Sequence, residues 1–149
     1  MAARKWSCLF IALLMLSVFA SVAVAQKAPA IESFQVKFKL DTATTKSLHM
    51  GDVWGAPAQF TGAKAGRVFI VEARAVGLDA EGSEVDIAAT WKSANPGMVK
   101  VSPGTGKRVS FSVMKPGQGT VEVNYGNLTK KLDIKAAYQA GVMQVEIDQ

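Results

Sequence analysis

Alternation of apolar and polar residues is the dominant pattern of this chain after its first 30 residues. Phe34, Val36, Phe38 and Leu40 alternate with Gln35, Lys37 and Lys39, and residues 67–78 (RVFIVEARAVGL) repeat the pattern at greater length. Successive side chains of a β-strand point to opposite faces, so each run predicts a strand with one buried face. Aromatic and β-branched residues on that face favour the same assignment.

Further alternating runs follow at short intervals, separated by turn residues. Strands are predicted around residues 85–91, 98–101, 109–113, 121–125, 132–136 and 143–147. The turns between them include Asn95-Pro96-Gly97 and Gly126-Asn127, residue types that end a ladder or permit a tight reversal. No helical periodicity of useful length follows residue 25. Seven to eight short strands predict an all-β protein, an immunoglobulin-like antiparallel β-sandwich.

The predicted core consists of residues that share the inward phase of these strands. Trp91 is in phase with Ile87 and Ala89, and is expected to pack between the two sheets as a strand-borne tryptophan. The full set of predicted structural core residues is Trp91, Val71, Val99, Val101, Phe111, Val121, Val123 and Tyr125.

The first 25 residues have the three parts of a secretory signal peptide. A short basic start contains Arg4 and Lys5, an apolar run covers residues 6–20, and a small-x-small pattern ends at Ala25, ahead of Gln26. The apolar run is shorter than the roughly 20 residues of a membrane-spanning helix. We expect cleavage between Ala25 and Gln26. Retention of the segment as an N-terminal anchor is the alternative.

Removal of residues 1–25 from the 149-residue chain leaves 124 residues, which suits one domain, 26–149. The only cysteine, Cys8, leaves with the signal, so the remaining domain forms no disulfide. An exported domain without disulfides fits the bacterial periplasm or cell surface. The net charge falls from +5 to +3, since Arg4 and Lys5 are lost. So small a charge predicts no nucleic-acid partner and, with the signal removed, no stable membrane span is expected.

Residues 41–66 break the alternating pattern. Thr, Ser, Lys, Gly and Pro dominate this segment. The apolar residues Leu48, Val53 and Phe60 keep neither the alternation of a strand nor the periodicity of a helix for long. We expect a long irregular insertion or loop with one short strand near Leu48 or Phe60. A loop of this length inside a compact domain is unusual without a role or hidden structure.

The region from Ala73 to Ala136 resembles the bacterial immunoglobulin-like repeat of intimins and invasins. The similarity lies in the turn 79–82 (DAEG), the strand tryptophan and turn of 90–96 (TWKSANP), the segment 99–102 (VKVS), and the turn and strand of 116–123 (PGQGTVEV). The resemblance implies an immunoglobulin-like sandwich and a non-catalytic role in binding or assembly. The chain departs from the pattern in the long 41–66 segment and in having one copy.

The residues expected of catalytic and metal sites are sparse. His49 is the only histidine and no Gly-x-Ser-x-Gly motif occurs, so we expect no enzyme activity and no cofactor. His49 and Met50, with Met98, Met114 and Met143, define an alternative, a small periplasmic metal or ligand carrier, because imidazole and thioether bind copper. The acidic residues Asp52, Asp79, Glu81, Glu84 and Asp86 offer oxygen ligands for calcium but lack a regular loop spacing, and a solvated turn explains them better.

The 41–66 segment also contains the candidate partner-binding residues. Trp54 lies between glycine and proline, where an aromatic ring can stack on a sugar or anchor a protein. The alternative is that Trp54 folds back to cap an open end of the sandwich. His49 and Phe60 are further candidate contacts. The expected partner is a protein or a surface polysaccharide of the cell envelope. A basic face is expected if the first and closing strands are neighbours, although solvated strand faces explain the same lysines equally well. The residues concerned are Lys37, Lys39, Lys130, Lys131 and Lys135.

Cleavage of the signal can be measured directly. When the full chain is produced in a bacterial host, we expect the recovered protein to begin at Gln26 by intact mass and to leave the cell on osmotic shock. Ala25→Leu is the matched control, because a large residue at the cleavage site should block cleavage. An intact N-terminus in the unmodified protein would contradict the signal peptide.

Overall fold

The computed structural model describes residues 30–40, 53–56 and 59–149, and within these ranges it is all β. The twelve strands are β1 (Ser33–Lys39), β2 (Trp54–Gly55), β3 (Gln59–Lys64), β4 (Phe69–Leu78), β5 (Glu84–Ile87), β6 (Ala89–Ser93), β7 (Val99–Ser102), β8 (Thr105–Gly106), β9 (Arg108–Val113), β10 (Gly117–Tyr125), β11 (Leu128–Gln139) and β12 (Val142–Asp148). The predicted signal peptide, Cys8, His49 and Asp52 lie outside the described residues.

The strands form two antiparallel sheets that pack as a sandwich. The front sheet has the order β2-β1-β4-β9-β7, and β5 pairs with β4 beyond the end of β9. The back sheet has the order β3-β12-β11-β10-β6-β8. Each sheet therefore buries one face against the other and turns its second face to solvent.

Most of the predicted strands are confirmed, but one is divided. The alternating run 85–91 becomes β5 in the front sheet and β6 in the back sheet, with only Ala88 between them. Ile87, Ala89 and Trp91 stay in phase and are all buried. The pattern therefore continues unbroken through the residue where the chain changes sheets. This division and the strands β2, β3 and β8 account for the excess over the predicted seven to eight. Of these, β3 contains Phe60 and is the short strand expected near Leu48 or Phe60.

A continuous series of aromatic contacts links the two sheets. Phe69 and Phe38 of the front sheet both contact Phe60 of the back sheet, at ring-centroid distances of 5.9 and 5.2 Å. Phe38 also contacts Phe111 at 5.7 Å, and Phe111 contacts Trp91 of the back sheet at 5.7 Å with nearly perpendicular rings. Edge-to-face pairs of this kind add to the stabilisation from burial.

The predicted core residues occupy the space around this series. Val71, Val99, Phe111, Val121 and Val123 are buried, and so is Trp91, whose indole Nε1 donates a hydrogen bond to the Gly106 carbonyl at 3.3 Å. Val101 and Tyr125 are only partly buried and pack against the edge of the core. The inward phase of the alternation is thus confirmed.

The last hairpin widens the back sheet. Ala140 and Gly141 both have positive φ, 49° and 77°, and join β11 to β12 as a two-residue turn whose twist suits a hairpin. β12 then offers its other edge to β3, pairing Val145 with Phe60.

The exposed edge of β1 is occupied by one side chain. The Gln149 carboxamide accepts a hydrogen bond from the Val36 amide at 3.2 Å and donates one to the Val36 carbonyl at 2.9 Å. Beyond this point the edge pairs with β2, through Phe38 and Gly55. A side-chain amide thus provides the donor and acceptor that a neighbouring strand would supply.

Gly77 is the position where β4 has no room for a side chain. A Cβ there would lie 2.8 Å from Cγ2 and 2.9 Å from Cδ1 of Ile31, and 3.0 Å from Cγ2 of Ile87. We expect Gly77→Ala to lower the free energy of unfolding by about 1–3 kcal/mol in urea titrations, because the added methyl group overpacks the core beside Ile31 and Ile87. Gly97→Ala is the control, since nothing lies within 4 Å of its Cβ. Equal stability of both variants would contradict the close packing of Ile31 on β4.

Candidate functional site

Trp54 lies on the outer face of the front sheet, in a strand instead of the predicted loop. β2 pairs with β1 so that Gly55 is opposite Phe38 and Trp54 is opposite Lys39. Residues directly opposite each other in an antiparallel pair share a face. Phe38 points into the core and is fully buried, so Lys39 and Trp54 project outward. Trp54 is partly buried there and does not cap the end of the sandwich.

A row of three cations crosses the same face. Lys37 of β1 is opposite Arg74 of β4, which is opposite Arg108 of β9. Like charges placed directly opposite each other repel and reduce stability. Such an arrangement needs compensation from nearby groups.

Carboxylates of β5 compensate two of these cations. Lys37 forms an ion pair with Glu84, and the Arg74 Nη1 lies 3.2 Å from the Asp86 Oδ1. Arg108, by contrast, is exposed and takes part in none of the ion pairs formed among the described residues. Within the part of the chain that the structure describes, one positive charge of the row therefore remains without a carboxylate.

The indole of Trp54 brings the two arginines together. The Cζ of Arg74 lies 4.8 Å from the ring centroid, and the Cζ of Arg108 lies 5.4 Å from it. The negative π-face of the ring attracts guanidinium groups, so it offsets part of the repulsion between them. We call Trp54, Arg74 and Arg108 the Trp54 cluster.

Arg74 is held tightly within the cluster. Only 20% of its side chain is exposed, and its Nε is buried with no hydrogen-bond partner among the described residues. A buried donor without an acceptor costs free energy and is uncommon in folded proteins. The front sheet therefore tolerates both an unpaired donor and a like-charge row at this position.

Phe60 is the second candidate partner residue, and the structure assigns it to the core instead. Its ring is 2% exposed and contacts Phe38 and Phe69. Burial follows from the pairing of β3 with β12, which brings Phe60 beside Val145. No local periodicity in residues 41–66 indicates a partner strand so far away in the sequence. The third candidate, His49, lies outside the described residues.

Three of the acidic residues considered as calcium ligands, Asp79, Glu84 and Asp86, have structural partners. The Asp79 carboxylate accepts hydrogen bonds from the amides of Glu81 at 3.1 Å and Ser83 at 2.7 Å, which closes the turn. Glu84 and Asp86 pair with cations as described above. Over the ranges 30–40, 53–56 and 59–149, no group of three or more His, Cys, Asp or Glu side chains is arranged to hold a metal ion.

The condition for a basic face, that the first and closing strands are neighbours, is not met. Lys37 and Lys39 belong to β1 in the front sheet, whereas Lys130, Lys131 and Lys135 belong to β11 in the back sheet. The first and closing strands are therefore not neighbours in one sheet. Lys135 instead lies 3.6 Å from Asp148 and 4.0 Å from Glu146 on its own face.

A polar trough crosses the outer face of the back sheet. Two adjoining cavities of about 380 and 390 Å³ share Gln118 and Lys135. Gln59, Gln144 and Glu146 line the first of them. On this surface the one cation, Lys135, pairs with Glu146 and Asp148, whereas Arg108 of the Trp54 cluster has no carboxylate partner among the described residues. The cluster is therefore the stronger candidate site.

Comparison with family models, curated proteins and solved structures finds no match to the chain. The part of the chain that the structure describes has no helix with the length and apolar character of a membrane span.

The opposite placements of Phe60 and Trp54 can be tested by stability. Phe60→Ala should lower the free energy of unfolding by about 3–5 kcal/mol, because it empties a core position. Trp54→Ala should cost about 1 kcal/mol, since it removes a partly exposed ring and its cation–π contacts. Urea denaturation of the two variants measures both values. A loss at Trp54 as large as at Phe60 would make Trp54 a core residue.

Proposed function

We propose that this protein is an exported, non-catalytic immunoglobulin-like module that binds a partner at the bacterial envelope. The strand order supports the fold assignment. The immunoglobulin pattern has its first, second, fifth and fourth strands in one sheet and its third, sixth and seventh in the other. Here the orders β1-β4-β9-β7 and β6-β10-β11 follow that arrangement. Trp91 lies on β6, the equivalent of the third strand, where that family has its core tryptophan.

The sheet edges carry additions to this pattern. β12 and β3 extend the back sheet beyond β11, and β2 extends the front sheet beyond β1. Both β2 and β3 come from the segment in which the sequence departs from the bacterial immunoglobulin-like repeat. The segment that adds strands is thus also the one that supplies Trp54.

The single observation that favours a binding role is the Trp54 cluster. A partly exposed tryptophan contacts two arginines, and Arg108 has no carboxylate partner among the described residues. Tryptophan and arginine are the residue types that contribute most to binding energy at interfaces. Their mutual contacts fix the ring and the guanidinium groups in advance, which reduces the entropy lost on binding.

The alternative function, a metal or ligand carrier, has less support. Met98 is 4% exposed and Met143 is fully buried, so both thioethers serve as core filling. Met114 is 37% exposed, and His49 and Met50 lie outside the described residues. The described methionines therefore do not converge on one site.

The binding role predicts that partner capture depends on the cluster. Immobilised protein should retain a specific component of an envelope extract, and Trp54→Ala or Arg108→Ala should reduce that component at least about tenfold. Lys100→Ala is the matched control. Lys100 is exposed on the same sheet, opposite Ser112 and therefore about 13 Å along β9 from Arg108.

Circular dichroism and melting curves establish that each variant is folded. Equal capture by the unmodified protein, the Trp54 variant and the Arg108 variant would contradict a binding role for this face. Loss of capture with Lys100→Ala alone would assign the interface to another part of the front sheet.

A further inference from the structure

We propose that the Trp54 cluster binds an acidic sugar unit of a polysaccharide, an inference that rests on the binding function proposed above. Its starting point is the uncompensated charge of Arg108. The guanidinium is exposed, is oriented by the indole of Trp54 and has no carboxylate partner among the described residues. A guanidinium fork binds a carboxylate or sulfate through two parallel hydrogen bonds. The site therefore favours a ligand with an anionic group.

The second requirement on the ligand comes from the ring. The indole of Trp54 is partly exposed, and Arg108 lies 5.4 Å from its centroid. Aromatic side chains bind the flat C–H face of a sugar while polar groups beside them bind its substituents. A sugar acid carries its carboxylate directly on the ring that stacks. One such unit can therefore contact the indole and the guanidinium at the same time.

The surface beside Arg108 fits an extended, hydroxylated chain. Ser110 and Ser112 follow Arg108 on the outer face of β9, opposite Glu72 and Ile70 of β4. Short hydroxyl side chains leave space along the strand and offer both donors and acceptors to sugar hydroxyls. The partly exposed ring, the guanidinium of Arg108 and these hydroxyl groups together favour a polysaccharide as the occupant.

A neutral polysaccharide fits the cluster less well. Docking on Trp54 would remove water from Arg108 without supplying a counter-charge, and desolvation of an unpaired charge is costly. An acidic unit supplies that counter-charge. Binding should therefore weaken as salt increases, because the surface pair is screened.

Isothermal titration of the purified protein with polygalacturonate oligomers tests the proposal. We expect measurable binding in low salt, a rise in Kd of about tenfold or more on Arg108→Gln or Trp54→Ala, and a smaller rise on Arg108→Lys. Lys100→Gln removes the same charge elsewhere on the face and should leave the Kd within about twofold. The carboxyl-reduced polymer, which keeps the sugar ring without its charge, should bind at least about tenfold more weakly.

Polyglutamate and single-stranded oligothymidylate are the comparison ligands. If either binds as tightly as polygalacturonate with the same dependence on Trp54, the site does not select a sugar acid and the proposal is overturned. Lack of binding to polygalacturonate also overturns it. The envelope capture experiment distinguishes failure of this proposal from failure of the binding function. If polygalacturonate does not bind but capture from the extract still requires Trp54, only the acidic-sugar assignment fails. If capture does not require Trp54 either, both proposals fail.

Discussion

The packing of Phe60 against Phe38 joins the two sheets. Phe60 belongs to the back sheet and contacts two phenylalanines of the front sheet, while Phe111 and Trp91 continue the series toward the opposite end of the core. The chain contains one cysteine, at position 8, so no disulfide within residues 30–149 can share this task. Burial of large apolar side chains is therefore the interaction on which the sandwich depends.

The same strands that supply this core supply the candidate site. Along β1, Phe38 points inward between Lys37 and Lys39, and along β9 Val109 points inward next to Arg108. Alternation thus assigns packing and charge to opposite faces of one backbone. The two arginines of the Trp54 cluster lie on β4 and β9, whose inward faces are packed in the core. A rigid strand positions a binding residue more precisely than a loop does.

Much of the fold was readable from the sequence because period-two alternation is a local property. It identified β1, β4, β7 and β9 to β12, and the inward phase of nearly every core residue on them. It could not reveal that the run 85–91 changes sheets at Ala88, because both halves keep the same phase. Strand pairing is likewise non-local. Phe60 owes its burial to Val145, 85 positions later in the sequence, and no pattern near residue 60 encodes that neighbour.

The candidate site was readable only in part for the same reason. Trp54 was distinctive as an aromatic residue among glycine and proline, and it does lie at the proposed site. Its arginine neighbours were not predicted, because Arg74 and Arg108 are far apart in sequence and meet only through the registers of β1, β4 and β9. A sequence reveals the types of residues that recognition requires more readily than the arrangement that combines them.

The carboxamide of Gln149 has a consequence for how the protein behaves among other copies of itself. An uncovered sheet edge is a template for intermolecular pairing, and such pairing is a common start of aggregation. On β1, the Val36 amide and carbonyl are already taken by this one side chain. A second chain seeking to extend the front sheet there would first have to displace Gln149. This single side chain therefore opposes self-association through the β1 edge at Val36.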